Sequence, residues 1–177
     1  MTRTQVLVLI SRIKQELENI DRLQVELASR GLLPHEGGRA VTGEIPAGTP
    51  ATFSQGDSFT LRAIGSILHD LYVAAENIFE TVARELDQSI PTDPAWHLSL
   101  LQQMTLAIPE VRPAVISRET AQRLEAFRSF RHVFRNVYGF NLDSKRLQLL
   151  LEALPETISA LRRDLNLFAQ TLSASLP

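Results

Sequence analysis

The sequence predicts an all-α fold, an up-and-down bundle of four main helices with one or two short ones. Three observations carry that prediction. Apolar residues return at steps of three and four along several long segments. Prolines and glycines gather between those segments, and no stretch alternates apolar and polar residues for long enough to argue for a strand. With 177 residues and 44% hydrophobic content the chain is long enough for one well-buried core and short for two, so a single domain over residues 1–177 is expected.

The elements follow in order. Val6, Ile10, Ile13, Leu17, Ile20 and Leu27 share one face of a helix that ends near Gly31. Residues 34–56, PHEGGRAVTGEIPAGTPATFSQG, are too rich in glycine and proline for a regular element and read as an exposed loop. Asp57 or Ser58 then caps a second helix, whose stripe runs through Leu61, Ile64, Leu68, Leu71, Ala75, Ile78, Val82 and Leu86. SIPTDP, residues 89–94, breaks it. Asp93 caps a shorter helix through Trp96, Leu100, Leu101 and Met104, and Pro109 and Pro113 interrupt again. Ser117 opens a helix that runs to Gly139. Asp143 or Ser144 caps a helix through Leu147, Leu150 and Leu151. Pro155 stands where the first turn of a last helix tolerates proline, followed by the stripe Ile158, Leu161, Leu165, Phe168 and Leu172.

Composition narrows the function classes. A formal net charge of −2 supplies no global field for nucleic acid or membrane, so any electrostatic targeting must be local. The absence of cysteine removes disulfides, thiolate metal sites and cysteine nucleophiles, and fits a cytoplasmic protein. VLVLI, residues 6–10, falls far short of the roughly 20 apolar residues of a membrane span, and no cleavage site follows it, so neither a membrane anchor nor a signal peptide is expected.

The stretch FRHVFRNVYGF, residues 130–140, departs from that plain picture. On a helix, Phe127, Phe130, Phe134 and Val137 fall on one side as core. Arg128, Arg131, Arg135 and Tyr138 line a second face in one row, flanked by His132 and Asn136. Arg112, Arg118, Arg123, Arg128, Arg131 and Arg135 meet only Glu110, Glu119 and Glu125 between Pro109 and Asp143, a local positive surplus that suits a phosphate backbone. A solvated face whose arginines pair with carboxylates would have the same pattern. The second helix offers His69, Tyr72, Glu76 and Glu80 on a side away from its leucines, so Glu76 or Asp70 would hold Arg131 by a charge-assisted hydrogen bond if the two helices pack together. His35, His69 and His97 lack the spacing to a carboxylate or second histidine that a metal site needs, and Trp96 reads as a core or interface anchor.

An arginine, four residues, a histidine, one residue and a tyrosine on a helix form the motif of HEPN-domain proteins of the HepT kind, and Arg131, Asn136 and Tyr138 stand at its three positions. LHDLYVAAENIFE (68–80), PAWHLSLLQQM (94–104) and FRHVFRNVYGFNLD (130–143) are similar in style to the larger HepT-like toxins, so the resemblance covers the chain from about Asp57 onward. It implies an all-helical homodimer whose motif helices line a shared cleft, where RNA, whether tRNA or mRNA, is cut without a metal or other cofactor. It also implies a cognate antitoxin, a minimal nucleotidyltransferase that moves AMP from ATP onto the motif tyrosine, here Tyr138.

By the same resemblance Arg131 and Asn136 are expected catalytic residues; His132 joins them as the imidazole beside Arg131, and Arg128 and Arg135, in the same helix row, are expected to bind RNA phosphates. The chain departs from the motif at Asn136, which takes the place of histidine. Asparagine neither accepts nor releases a proton near neutral pH, whereas imidazole does both. His132, beside Arg131, is the expected substitute. The alternative is a catalytically degenerate dimer that binds RNA or nucleotide without cleaving it.

Overall fold

The computed structural model describes residues 2–33, 57–136 and 142–174; the loop expected at 34–56 and the stop expected at Gly139 lie outside them. Helix α1, Arg3–Ser29, starts with a capping box, in which Thr2 Oγ1 accepts from the Gln5 amide and the Gln5 side chain accepts from the Thr2 amide. It stops at Gly31, whose φ of +70° lets the Gly31 amide reach the Ala28 carbonyl and the Leu32 amide reach that of Leu27. Asp57 Oδ1 accepts from the Thr60 amide at 3.0 Å and opens α2, Ser58–Val82. The chain then widens into a π-helical turn, Ala83–Asp87, which ends at Gln88 with a positive φ of 51°.

Helix α3, Trp96–Met104, follows a turn in which Asp93 Oδ1 accepts from the Ala95 amide. Helix α4, Arg118–Asn136, is capped twice. Ser117 Oγ accepts from the Thr120 amide, and the Asp164 carboxylate arrives from α5 to accept from the Ser117 amide at 2.8 Å and the Thr120 hydroxyl at 2.6 Å. Burial raises the proton affinity of that carboxyl, but the hydrogen bonds from Thr120 and Ser117 outweigh it and hold Asp164 below the ordinary carboxylate range. An anion at this helix end also suits the exposed amides and the helix dipole.

One boundary differs from the sequence expectation. The two helices expected on either side of Pro155 are a single helix, α5, Ser144–Ala174, with Pro155 inside it. Proline removes one intrahelical hydrogen bond, yet Leu150, Leu151, Leu154, Ile158 and Leu161 keep one unbroken buried stripe across it. Tertiary packing of that stripe overrides the local penalty.

Helices α1, α2, α4 and α5 form the all-α bundle, and α3 and the π-helical turn are its short elements. Helix α2 packs against each of the other four and carries much of the single contiguous core, including Leu68, Tyr72, Ile78 and Phe79. Each such side chain removed from water contributes about 1.5–3 kcal/mol. At Gly65 the missing side chain lets α4 come close, since a Cβ there would lie 2.7 Å from Phe134 Cε2. Among the described residues no strand forms and no helix is long and apolar enough to cross a membrane.

Arg112, counted above in the local positive surplus, is instead buried. Its Nε and Nη2 donate to the two Asp87 oxygens at 2.5 and 2.7 Å. Nη1 donates to the Leu106 and Pro113 carbonyls and Nη2 also to that of Gln103, so five hydrogen bonds meet the five donors of the guanidinium. The Gln103 amide closes the cluster on Asp87 Oδ2 at 2.6 Å. This pair joins the end of the π-helical turn to the segment between α3 and α4, and neither side chain reaches solvent appreciably.

Removing one partner strands a buried charge. Asp87→Ala or Arg112→Ala is therefore expected to lower unfolding free energy by about 3–5 kcal/mol in urea titrations. Arg12→Ala, which removes the exposed pair with Glu85, is expected to change it by about 1 kcal/mol or less. Equal effects at the two sites would remove Arg112 as a structural anchor.

Candidate functional site

Glu76 sits on α2 among core residues and is 3% exposed. A solitary carboxylate there would carry a large desolvation penalty. Two other helices supply its partners. From α3, His97 Nδ1 lies 2.6 Å from Glu76 Oε1. From α4, Arg131 Nη2 lies 3.1 Å from Glu76 Oε2. The ring closes on itself, because Arg131 Nη1 is 3.1 Å from His97 Nε2.

That geometry fixes the proton on the imidazole. A guanidinium has donors only, so Arg131 donates to His97 Nε2, which carries the lone pair. His97 Nδ1–H therefore donates to Glu76, and His97 is the neutral Nδ1–H tautomer. The side chains of Arg131 and His97 are 13% and 18% exposed, so the cluster opens to solvent on the His97 side more than at Glu76. The indole of Trp96 lies against the His97 ring, with centroids 3.6 Å apart.

Along α2, one and two turns before Glu76, come Tyr72 and His69. Tyr72 is buried, and burial followed by the Glu76 charge pushes its phenol well above the ordinary tyrosine range. His69 packs on Phe134 at 5.6 Å between ring centroids. Burial lowers its pKa; the Asp70 charge opposes this, and Arg131 and Arg135 reinforce it. Two polar atoms at this place are buried without a hydrogen-bond partner among the described residues, His69 Nδ1 and Arg131 Nε.

Of the two carboxylates expected to hold Arg131, Glu76 meets it. Asp70 points to the exposed side of α2, and its charge is felt at His69. His132 and Arg135 are exposed on α4 beyond Arg131. Arg128 is held by Glu125 through Nε and Nη2 at 2.8 and 2.6 Å. Arg123 pairs with Glu119 and with Glu156 of α5.

The positive surplus counted along the sequence is thus reduced by carboxylates that α5 and the π-helical turn bring in. The Asn136 side chain and Tyr138 lie outside the described residues. His97 was passed over in the sequence because its carboxylate partner is 21 residues away and on another helix. Only the pairing of α2 with α3 and α4 brings the three together. Among the described residues no cluster of metal-ligating side chains occurs.

His69 gives this cluster a pH signature. The unfolded chain takes up the proton near the ordinary value of 6.5, and the folded chain only at lower pH. Unfolding therefore gains protons, and stability is full above that value and declines as the pH falls through it. His69→Asn is expected to give a shallower fall in melting temperature than wild type between about pH 7 and about pH 5. Parallel curves would show that His69 does not contribute.

The model of the HepT-like protein family matches residues 63–172. The match begins early in α2, ends near the close of α5 and takes in Glu76, His97 and Arg131, while α1 stands outside it. No curated protein and no solved structure matches the chain. With well over half of its length under that family model, the chain belongs to the HepT-like family.

Proposed function

We propose that the protein is a ribonuclease toxin, a cytoplasmic homodimer that cuts RNA without a metal at a cleft lined by α4 of both subunits. In this reading a cognate minimal nucleotidyltransferase silences it by AMPylating Tyr138. The observation that carries the proposal is the state of Arg131, the arginine of the family motif. Glu76 and His97 hold it in one geometry, with 13% of its side chain still exposed. A fixed guanidinium that still reaches solvent suits the charge that develops on phosphate oxygens as a 2′-oxygen attacks phosphorus.

Exposed His132 supplies acid or base chemistry at the next position, and Asn136, at the motif's histidine position, donates a hydrogen bond to phosphate or orients water. Arg135, also exposed, binds flanking phosphates, and Arg128 contributes less because Glu125 already occupies two of its donors. In the silencing step the Tyr138 phenol oxygen bonds to the α-phosphorus of ATP and pyrophosphate leaves, with the phenol proton passing to solvent. Arginines in the same row favour that step by binding the incoming phosphates. The attached AMP then blocks the cleft by bulk and by negative charge.

Asn136 favours a second reading, a dimer that binds RNA or nucleotide and does not cut it. Purified protein incubated with total RNA in chelator separates the two. Cleavage is expected for wild type, with a loss of about 10²–10³-fold in Arg131→Ala and a smaller loss in His132→Ala. Wild type that retains RNA on a filter without cutting it supports the second reading, and cleavage that survives in both variants overturns the first. For silencing, co-expression with the nucleotidyltransferase is expected to add AMP to the intact mass of wild type and not of Tyr138→Phe; additions that persist in the variant place the acceptor elsewhere.

A further inference from the structure

We infer that the general base of the RNA cleavage is His97 of α3, oriented by Glu76 and covered by Arg131 Nη1 until a phosphate oxygen takes that donor. This deepens the ribonuclease reading and rests on it. Two observations and the role proposed above for Arg131 point to His97. Its Nδ1–H is fixed on a buried carboxylate at 2.6 Å, the arrangement by which an acid orients an imidazole and stabilises the imidazolium formed when it takes a proton. Its other nitrogen, Nε2, carries the lone pair and faces Arg131 at 3.1 Å. Arg131 is in turn the group placed to bind the reacting phosphate, so base and phosphate binder are neighbours before any substrate arrives.

The cover is removable on energetic grounds. The bond from Arg131 Nη1 to a neutral imidazole is charged on the donor side alone, and is weaker than a bond from the same donor to an anionic phosphate oxygen. The contact of Nη2 with Glu76 anchors one edge of the guanidinium while Nη1 turns to its new partner. His97 Nε2 is then left unpartnered beside a bound phosphodiester, whose neighbouring ribose presents the 2′-hydroxyl. Nε2 takes the 2′-O–H proton, the 2′-oxygen bonds to phosphorus, and the bond from phosphorus to the 5′-oxygen breaks. The 5′-oxygen leaves with a proton from His132, which takes the acid role. A 2′,3′-cyclic phosphate and a 5′-hydroxyl result. Other imidazoles are placed differently: His69 is packed on Phe134 behind Arg131, and His132 is on the exposed side of α4.

The test uses the full chain and a randomised RNA oligonucleotide bearing a fluorophore and a quencher, with melting temperature confirming that each variant folds. His97→Ala is expected to lower kcat about 10²–10⁴-fold with KM changed less than about threefold, and added imidazole is expected to restore part of kcat. His97→Gln, which keeps a hydrogen bond to Glu76 but cannot take the proton, is expected to be as inactive as His97→Ala without imidazole. Wild type that does not cut RNA overturns the ribonuclease reading and this assignment with it. Wild type that cuts, while His97→Gln keeps more than about a third of kcat or His97→Ala is not rescued by imidazole, overturns the assignment of His97 alone.

Discussion

Burying the carboxylate of Glu76 in the middle of α2 constrains the centre of the molecule. At 3% exposure it has lost its water, and only donors from elsewhere in the chain can replace it. α3 must therefore deliver His97 and α4 must deliver Arg131 to the same few ångströms, which fixes the position of both helices against α2. Gly65, about three turns earlier, serves the same docking by letting Phe134 approach the α2 backbone. A site built from three packed helices is more rigid than one built on a loop, and that rigidity suits the role proposed for Arg131.

Polar groups organise the periphery in the same way, through partners remote in sequence. Arg112 satisfies its donors on Asp87 and three carbonyls and pins the irregular segment between α3 and α4. Asp164 of α5 completes the cap of α4, so the start of the motif helix is held by the last helix. Buried ion pairs of this kind are weak evidence for net stability, because desolvation offsets much of their attraction. Their value here is positional: each is satisfied in one arrangement of the helices.

Charge counted along the chain misjudged the surface. Between Pro109 and Asp143 the arginines outnumber the glutamates, yet Arg112 is interior, Arg123 finds Glu156 on α5, and Arg131 finds Glu76 on α2. A linear window cannot see a carboxylate that arrives from another helix. Arg128 with Glu125 was within its reach, being three residues apart on one helix. The row Arg128, Arg131 and Arg135 thus contains one guanidinium paired along its own helix, one drawn into the core cluster and one exposed.

The helical fold was legible in the residues themselves, because a period of three and four in Leu, Ile, Val and Phe is a local property, and so are the caps Asp57 and Ser117 and the stop at Gly31. The pairing of Glu76 with Arg131 was also within reach, as two side chains on the non-leucine faces of two long helices. Pro155 was misjudged for a local reason: its penalty is read from the sequence, whereas the stripe that overrides it is felt only when α5 packs. His97 was decided by tertiary structure alone. Its neighbours in sequence give it no hydrogen-bond partner, and a carboxylate 21 residues away together with a guanidinium 34 residues away makes it the hub of the site. Periodicity is a property of one helix, while the desolvation of a charge is settled only by what every other helix brings to it.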